Sequence, residues 1–276
     1  MSNPILSIVI ANYNYGRFLG AAIKSVVEQD WFDQCELIVV DGGSSDNSVD
    51  IIKKFASKIA WWVSERDKGQ SDAFNKGFAH ARGKYFTWVN ADDIMPTGCL
   101  KRIIREMEKH PDCEWFTGNF FRFTEDGKVI EIAWGPHLLP QWLQTKGQPL
   151  AIYGPATFFT KELFDRVGGM KLHQNFMMDT DLWMRFIVNG VKQRRINCFC
   201  WAFRMHADSK TAEFGDHKLP PEARAKFEAE RKRAYEETGY KASGLNRRLI
   251  QLWRVLDCSV LRAVWLKRTF RSYSYP

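Results

Sequence analysis

Leu6-Ser7-Ile8-Val9-Ile10-Ala11-Asn12-Tyr13-Asn14-Tyr15-Gly16 is the stretch whose reading decides the fold. Leu6 to Ala11 is short, β-branched and almost uninterruptedly apolar, as expected of a strand covered on both faces. A polar turn follows, and then Phe18, Leu19, Ala22, Ile23, Val26 and Val27 recur at helical spacing. Strand, polar turn and helix make one unit, and the unit repeats. Glu36 to Val40 is a second strand; after Asp41-Gly42-Gly43-Ser44-Ser45-Asp46, residues Val49, Ile51, Ile52 and Phe55 carry a helix. Ile59 to Val63 is a third strand, Ser64 to Gly69 a polar loop, and Asp72 to Ala81 a helix closed by Gly83. Lys84 to Val89 is the fourth strand. Crossover helices are how parallel strands are joined, so the prediction is an α/β fold with a mainly parallel central sheet.

In such sheets ligands bind outside the carboxyl ends of the strands. That rule lines up Asn12, Asp41, Glu65 to Gln70 and Asp92-Asp93 along one rim. The fourth strand ends in Asn90-Ala91-Asp92-Asp93 shortly before Pro96. Adjacent carboxylates repel, and a chain holds them together most readily around a cation or polar ligand, which points to a divalent-metal site. The first turn lacks G-x-G-x-x-G and the chain contains no P-loop pattern, which argues against redox and ATPase readings.

After the fourth strand the regular alternation stops. Thr97 is expected to N-cap a helix from Leu100 to Met107. Glu114 to Phe123 and Val129 to Ile132 flank Glu125-Asp126-Gly127, a hairpin signal that adds antiparallel pairing. Trp134 to Gly147 reads as a loop over the sheet, Ala156 to Thr160 as a short strand, and Lys161 to Val167 as a helix ended by Gly168-Gly169. Leu182, Trp183, Phe186 and Ile187 give a further helix a buried face, with Asp179 and Asp181 at its start, where the helix dipole favours carboxylates. Lys192 to Ile196 and Phe199 to Met205 read as two closing strands ahead of His206.

The composition is that of a folded globular chain of 276 residues with net charge +8 and many aromatics, eleven Trp and twenty Phe. A core rich in aromatics accounts for most of these; others suit a sugar-binding surface. The six cysteines lack framework or zinc spacing and are expected to be reduced structural thiols. No signal peptide or membrane span is read, so a cytoplasmic location is expected. Beyond Pro220-Pro221 the composition changes, placing a boundary between residues 1–215 and a helical region over residues 216–276. Glu222 to Glu237 is a charged helix. From Leu245 onward apolar residues keep near-helical spacing among Arg247, Arg248, Arg254, Arg262, Lys267, Arg268 and Arg271, with Asp257 the single acid. Basic, Trp-bearing amphipathic helices bind anionic membrane, here at the inner face of the plasma membrane; packing on the main domain or a partner is the alternative. Nucleic acid is not expected as a partner.

Taken together and in this order, the segments from Ile5 to about Ser209 resemble the family 2 glycosyltransferases, inverting enzymes of the GT-A fold that use nucleotide-sugar donors. The resemblance rests on Ser7 to Asn14, Glu36 to Asp46, Ser64 to Gly77, Gly83-Lys84-Tyr85 running into Asn90-Ala91-Asp92-Asp93, Phe164 to Gly169, and Asp179 to Arg185. It implies a Rossmann-like α/β domain that transfers a hexosyl or N-acetylhexosaminyl group, from a UDP-sugar as the expected donor, to a glycan or lipid-linked acceptor in cell-surface polysaccharide synthesis. Laid onto these positions, it implies nucleotide contacts at Ala11, Asn12, Tyr13, Asp41 and Asp92, and Mg²⁺ or Mn²⁺ held by Asp93 with His206 nearby. It implies a general base at Asp181 and donor or acceptor contacts at Glu65, Asp67, Gly69, Gln70, Asp72 and Asp179. The chain departs from the family's D-x-D element in carrying Asn90 first, which moves the expected metal contact onto Asp93, with Asp92 beside it. The alternative is a nucleotide-sugar or glycan-binding subunit without turnover, which would have no need of a base.

Overall fold

The computed structural model describes residues 3–134, 154–209, 221–240, 248–249, 252, 255–256 and 259–269. Strands β1 (Leu6–Asn12), β2 (Cys35–Asp41), β3 (Trp61–Ser64) and β4 (Tyr85–Asn90) lie parallel in the order β3-β2-β1-β4. They are joined by α1 (Gly16–Val27), α2 (Ser48–Lys54) and α3 (Gln70–Ala79). The apolar character of β1 follows from its two covered faces. Ile8 and Ile10 pack in one core with Leu19, Ile23 and Val26 of α1 and with Leu100 and Ile103 of α4 (Cys99–Lys109). Val9 packs in a second core with Phe74 and Phe78 of α3 and with Trp88. Each such side chain, fully buried, contributes about 1.5–3 kcal/mol. Gly77 lets α3 approach the sheet: a Cβ there would lie 2.4 Å from Val9 Cγ1.

The rest of the sheet is built on β5 (Trp115–Thr124). Its turn to β6 (Val129–Ala133) passes through Gly127 at φ 83°, and the two strands pair antiparallel as the hairpin signal predicted. β7 (Thr157–Thr160) joins the halves of the sheet, antiparallel to both β4 and β5. It leads into α5 (Lys161–Arg166), whose N-cap Thr160 accepts a hydrogen bond from Leu163 N–H at 3.2 Å. After α6 (Met178–Val188) comes β8 (Gln193–Met205), parallel to β5 along its other edge.

Two expectations change here. The two closing strands are one, because both halves pair with the unbroken β5 and the residues between them are absorbed as register shifts near Asn119. Thr97 is not the cap of α4; the helix begins after Gly98, at φ 79°. Helix α7 (Pro221–Thr238) and the residues after it bury Ala234 and Tyr240 in the same core as Phe74, Trp88 and Trp183. Of the loop read from Trp134 to Gly147, only Trp134 lies within the described residues.

Both readings of the C-terminal helix find a face. In α8 (Ser259–Thr269), Ala263 and Leu266 pack against the Phe121, Phe123 and Ile132 cluster, and the Arg262 guanidinium lies 5.7 Å from the Trp134 ring centroid. Leu261, Val264 and Trp265 point outward, with Leu261 and Trp265 both 64% exposed. No helix among the described residues is long and apolar enough to cross a membrane. The described cysteines are free thiols.

Candidate active site

A cleft of about 1050 Å³ opens at the carboxyl ends of β1 and β4. Its walls come from the turn after β1, the loop before α3, the residues after β4, the second halves of β5 and β8, the start of α6 and one stripe of α7. Of the residues expected to form the site, Ala11, Asn12, Tyr13, Asp67, Gly69, Gln70, Asp92 and Asp179 line it, whereas Asp41, Glu65, Asp72, Asp93, Asp181 and His206 do not.

Asp41 lies behind the cleft wall. Fully buried, it accepts hydrogen bonds from Asn12 Nδ2 (2.6 Å), Ser44 N–H (2.9 Å) and the Ser44 and Ser64 hydroxyls (2.5 and 2.6 Å). Burial alone would raise its carboxyl, but these hydrogen bonds outweigh burial and hold it below the ordinary carboxylate value. Asp41 thereby fixes Asn12, whose Oδ1 is buried without a hydrogen-bond partner at the cleft wall. An orphaned buried acceptor of this kind is expected where a ligand supplies the missing donor. Tyr13, 61% exposed, forms the rim beside it. Glu65 and Asp72 both serve Lys76, at 2.8 and 3.7 Å, and Asp72 also accepts from Lys68 N–H at 3.0 Å, so they shape the loop that carries Asp67 and Gly69.

The two carboxylates after β4 sit in different surroundings. Asp93 is fully buried, and its two oxygens are taken by Asn90 Nδ2 (2.7 Å), Trp201 Nε1 (2.8 Å) and Arg204 N–H (2.9 Å). Burial, with the charge of Asp92 beside it, pushes its carboxyl well above the ordinary value despite those hydrogen bonds. It is a peg that stitches the end of β4 to β8, next to the paired Ile94 and Ala202 backbones. The role of Asn90 follows. Its amide donates to Asp93 and accepts from Gln70 at 3.2 Å, whereas an Asp there would set a second carboxylate against a buried one.

Asp92 is the carboxylate that reaches the cleft, and His206 Nε2 lies 3.0 Å from its Oδ2. Arg17 Nη2 sits 3.3 Å from His206 Nδ1. A guanidinium only donates, so Nδ1 is the acceptor and Nε2 carries the proton that it gives to Asp92. The ring is wedged between Phe18 and Tyr15, at 4.6 and 5.7 Å between centroids. His206 thereby holds Asp92 in place at the edge of the cleft. Burial, with Asp92 and Asp208 nearby, pushes the Tyr15 phenol in the cleft wall up to about 12, leaving it a neutral hydrogen-bonding group.

At the other side of the cleft the two aspartates of α6 also differ in their surroundings. Asp181 is fully buried and its Oδ2 accepts from Arg185 Nε and Nη2 at 2.8 and 2.6 Å. Arg185 also donates to the Val167 and Gly169 carbonyls, both at 2.7 Å, so the pair ties α6 to the turn after α5. Asp179 lines the cleft, its Oδ1 accepting from Thr180 N–H at 2.6 Å. The entry to α6 is held by Glu230 of α7, whose Oε2 accepts from the N–H groups of Asn175, Phe176 and Met177 at 2.8, 2.6 and 3.3 Å. A carboxylate at a helix N-terminus answers its unpaired N–H groups and its dipole.

The sequence reading missed α7 as a wall. Phe227, Arg231 and Tyr235 line the cleft, and their spacing of four along one stripe was the available signal. It also missed Arg122, Trp201 and Phe203, which only the pairing of β5 with β8 carries to the site. Among the described residues no group of three or more His, Cys, Asp or Glu side chains is placed to hold a metal. Asp92 still fits Mg²⁺ or Mn²⁺ bound to a diphosphate, since such ions are commonly held by one or two carboxylates while substrate phosphates and water complete the shell.

The family model for glycosyl transferase family 2 matches residues 7–168. An uncharacterised glycosyltransferase of Methanocaldococcus jannaschii is 30% identical over 216 residues, covering 74% of this chain and 72% of that protein. Shorter matches to other curated glycosyltransferases span 31% and 41% of their lengths. The mannosyltransferase PcManGT from Pyrobaculum calidifontis, solved with GDP-Man and Mn²⁺, superposes with a TM-score of 0.58 over 99% of this chain and 89% of that one, at 16% identity. Staphylococcus aureus TarS residues 1–349 with UDP-GlcNAc gives 0.57 over 74% and 59%, also at 16% identity. At that identity the structural likeness establishes the GT-A architecture alone. The family match covers more than half of the chain and spans β1 to the end of α5, including every residue that the first two strand ends and the loop after β4 bring to the cleft, so the chain belongs to glycosyl transferase family 2.

Proposed function

We propose that this chain is an inverting glycosyltransferase that moves a hexosyl or N-acetylhexosaminyl group from a nucleotide-sugar to a hydroxyl of a glycan or lipid-linked acceptor in cell-surface polysaccharide synthesis. The observation that carries this reading is that Asp92 and Asp179, from separate elements, line one cleft together with Asn12 and Tyr13. Asn12 and Tyr13 would take the nucleotide, the orphaned Asn12 Oδ1 accepting from the base or ribose. Asp92 would hold Mg²⁺ or Mn²⁺ on the diphosphate, and the ion, when bound, supplies Lewis-acid stabilisation of the leaving group. Asp179 takes the proton of the acceptor hydroxyl as its oxygen attacks the anomeric carbon from the face opposite the diphosphate. The new bond joins that oxygen to the anomeric carbon, and the bond to the diphosphate oxygen breaks. The negative charge leaves with the nucleoside diphosphate. Phe227, Tyr235 and Trp201 suit the apolar faces of sugar rings.

A UDP-sugar is the proposed donor, with a GDP-sugar as its nearest competitor given the ligands of the two solved structures. A thermal-shift panel of UDP-, GDP- and dTDP-sugars with Mn²⁺ tests this. The true donor at one hundred times its Kd is expected to add about 2.7 kcal/mol of apparent stability. No shift from any nucleotide-sugar would overturn the donor reading, and a shift without hydrolysis or transfer in the presence of glycan acceptors would favour a binding subunit.

The outward face of α8 is proposed to bring the enzyme to an anionic membrane, because its exposed Leu261, Val264 and Trp265 lie beside Lys267. Flotation with phosphatidylglycerol vesicles is expected to be lost in the L261E/V264E variant. Equal flotation of both proteins would rule that face out.

A further inference from the structure

We propose that a basic groove at the opposite end of β8 from the cleft binds an acidic polysaccharide, a chain carrying carboxylate or phosphate groups along its length. The groove has a volume of about 1570 Å³ and runs between α4, the turn after α6 and the first residues of β8. It shares no lining residue with the cleft. Along β8 the nearest lining residues of the two are Asn197 in the groove and Trp201 in the cleft, four positions or roughly 13 Å apart, while Arg194 and Phe203 lie nine positions or roughly 30 Å apart. The groove is a separate site and not an extension of the donor pocket.

Its charge follows from the way α4 is packed. The helix buries Leu100, Ile103, Ile104 and Met107, which turns Lys101, Arg102 and Arg105 onto the groove wall. Lys192 and Arg194 face them from the other side. The carboxylates present are mostly engaged: Glu106 lies 3.2 Å from Lys109 and 3.9 Å from Arg194, and Glu114 is held by Arg166 at 2.9 Å. Asp112 adds one further acid. Lys101, Arg102, Arg105 and Lys192 have no carboxylate within 4 Å among the described residues. Cations gathered along one groove without a neutralising partner repel one another, and a ligand with repeated negative charges relieves that repulsion.

The shape narrows the partner. A flat bilayer touches only the rims of a concave site, whereas a strand-like polymer enters it. No Trp, Tyr or Phe lines the groove, so nucleic-acid bases would find no stacking platform. The choice of a polysaccharide among polyanions rests on the proposed glycosyl transfer, whose substrates are glycans. Binding there requires no turnover, so an active enzyme that ignores the polymer, and an inactive chain that binds it, distinguish failure of one reading from failure of the other.

The test is calorimetric titration of the full chain with polygalacturonate, with neutral dextran as the uncharged control. The K101E/R102E/K192E variant is expected to bind polygalacturonate about tenfold more weakly or worse, with an unchanged melting temperature. The K53E/K54E/K58E variant, which makes the same change in net charge on the exposed face of α2 and the turn after it, is expected to retain most of the affinity. Equal losses in the two variants would overturn the proposal by showing general charge attraction. Absence of binding to the wild-type chain would overturn it, as would tighter binding of a single-stranded oligonucleotide or of phosphatidylglycerol vesicles that also depends on Lys101, Arg102 and Lys192.

Discussion

Replacing Asp179 by Asn is expected to lower kcat by about 10²–10⁴-fold while donor binding and thermal stability stay near those of the wild type, because a carboxamide keeps the shape and cannot take the acceptor proton. The matched substitution two residues on is expected to act through a different physical route. Asp181 and Arg185 are a buried ion pair, with side chains 1% and 10% exposed. Asp181→Asn leaves the guanidinium charge without its counterion, and breaking a buried pair from one side typically costs about 3–5 kcal/mol. Arg185 keeps its two carbonyl acceptors, which places the expected loss toward the lower end. The pair of variants separates base from brace: Asp179→Asn shows as lost turnover in a stable protein, Asp181→Asn as a lower melting temperature. Full turnover in Asp179→Asn, or turnover lost in Asp181→Asn without loss of stability, would reverse the assignment.

The second large effect is expected at Asp92. Asp92→Asn should abolish the Mn²⁺-dependent part of nucleotide-sugar binding, measured by calorimetry with Mn²⁺ and with a chelator. The reason is that Asp92 is the acidic side chain after β4 that reaches the cleft. Asp93→Asn tests the alternative position. Asp93 is an acceptor for three donors in a closed pocket, so its loss is expected to appear first as destabilisation of the contact between the end of β4 and β8, with metal dependence retained in the folded fraction. Metal-dependent binding that survives Asp92→Asn and disappears in a stably folded Asp93→Asn would return the metal to the position first expected for it.

Much of the frame was legible because its signals are short-range. Apolar runs such as Leu6 to Ala11 and Glu36 to Val40, each ended by a polar turn and followed by helical spacing, identify parallel strands without reference to the rest of the chain. The rule that ligands gather at the carboxyl ends of such strands points to one rim, from which Asn12, Asp67, Gly69, Gln70 and Asp92 line the cleft. The closing strand was harder. Asn197-Cys198 separates the two segments read as strands, the basic Lys192 to Ile196 and the apolar Phe199 to Met205, and only β5 running past both makes them one strand. Helix α7 was read as an independent element because its charged residues dominate; Ala234 becomes core only once α6 lies against it.

By itself, the sequence determined the parallel α/β half, since each strand and helix rests on residue types within a few positions of one another, and its family, from the order of segments along the chain. Tertiary structure alone decided which carboxylate of each pair reaches the cleft. Two positions on a helix differ by about 200° in direction, so whether Asp179 or Asp181 meets the cleft depends on how α6 is rotated against α5 and α7. The Arg185 contacts on one side and the Glu230 contacts on the other set that rotation. Asp92 and Asp93 are separated in the same way, by Trp201 and Arg204 reaching across from β8, more than one hundred residues away in the chain, to claim the second carboxylate and leave the first to the ligand.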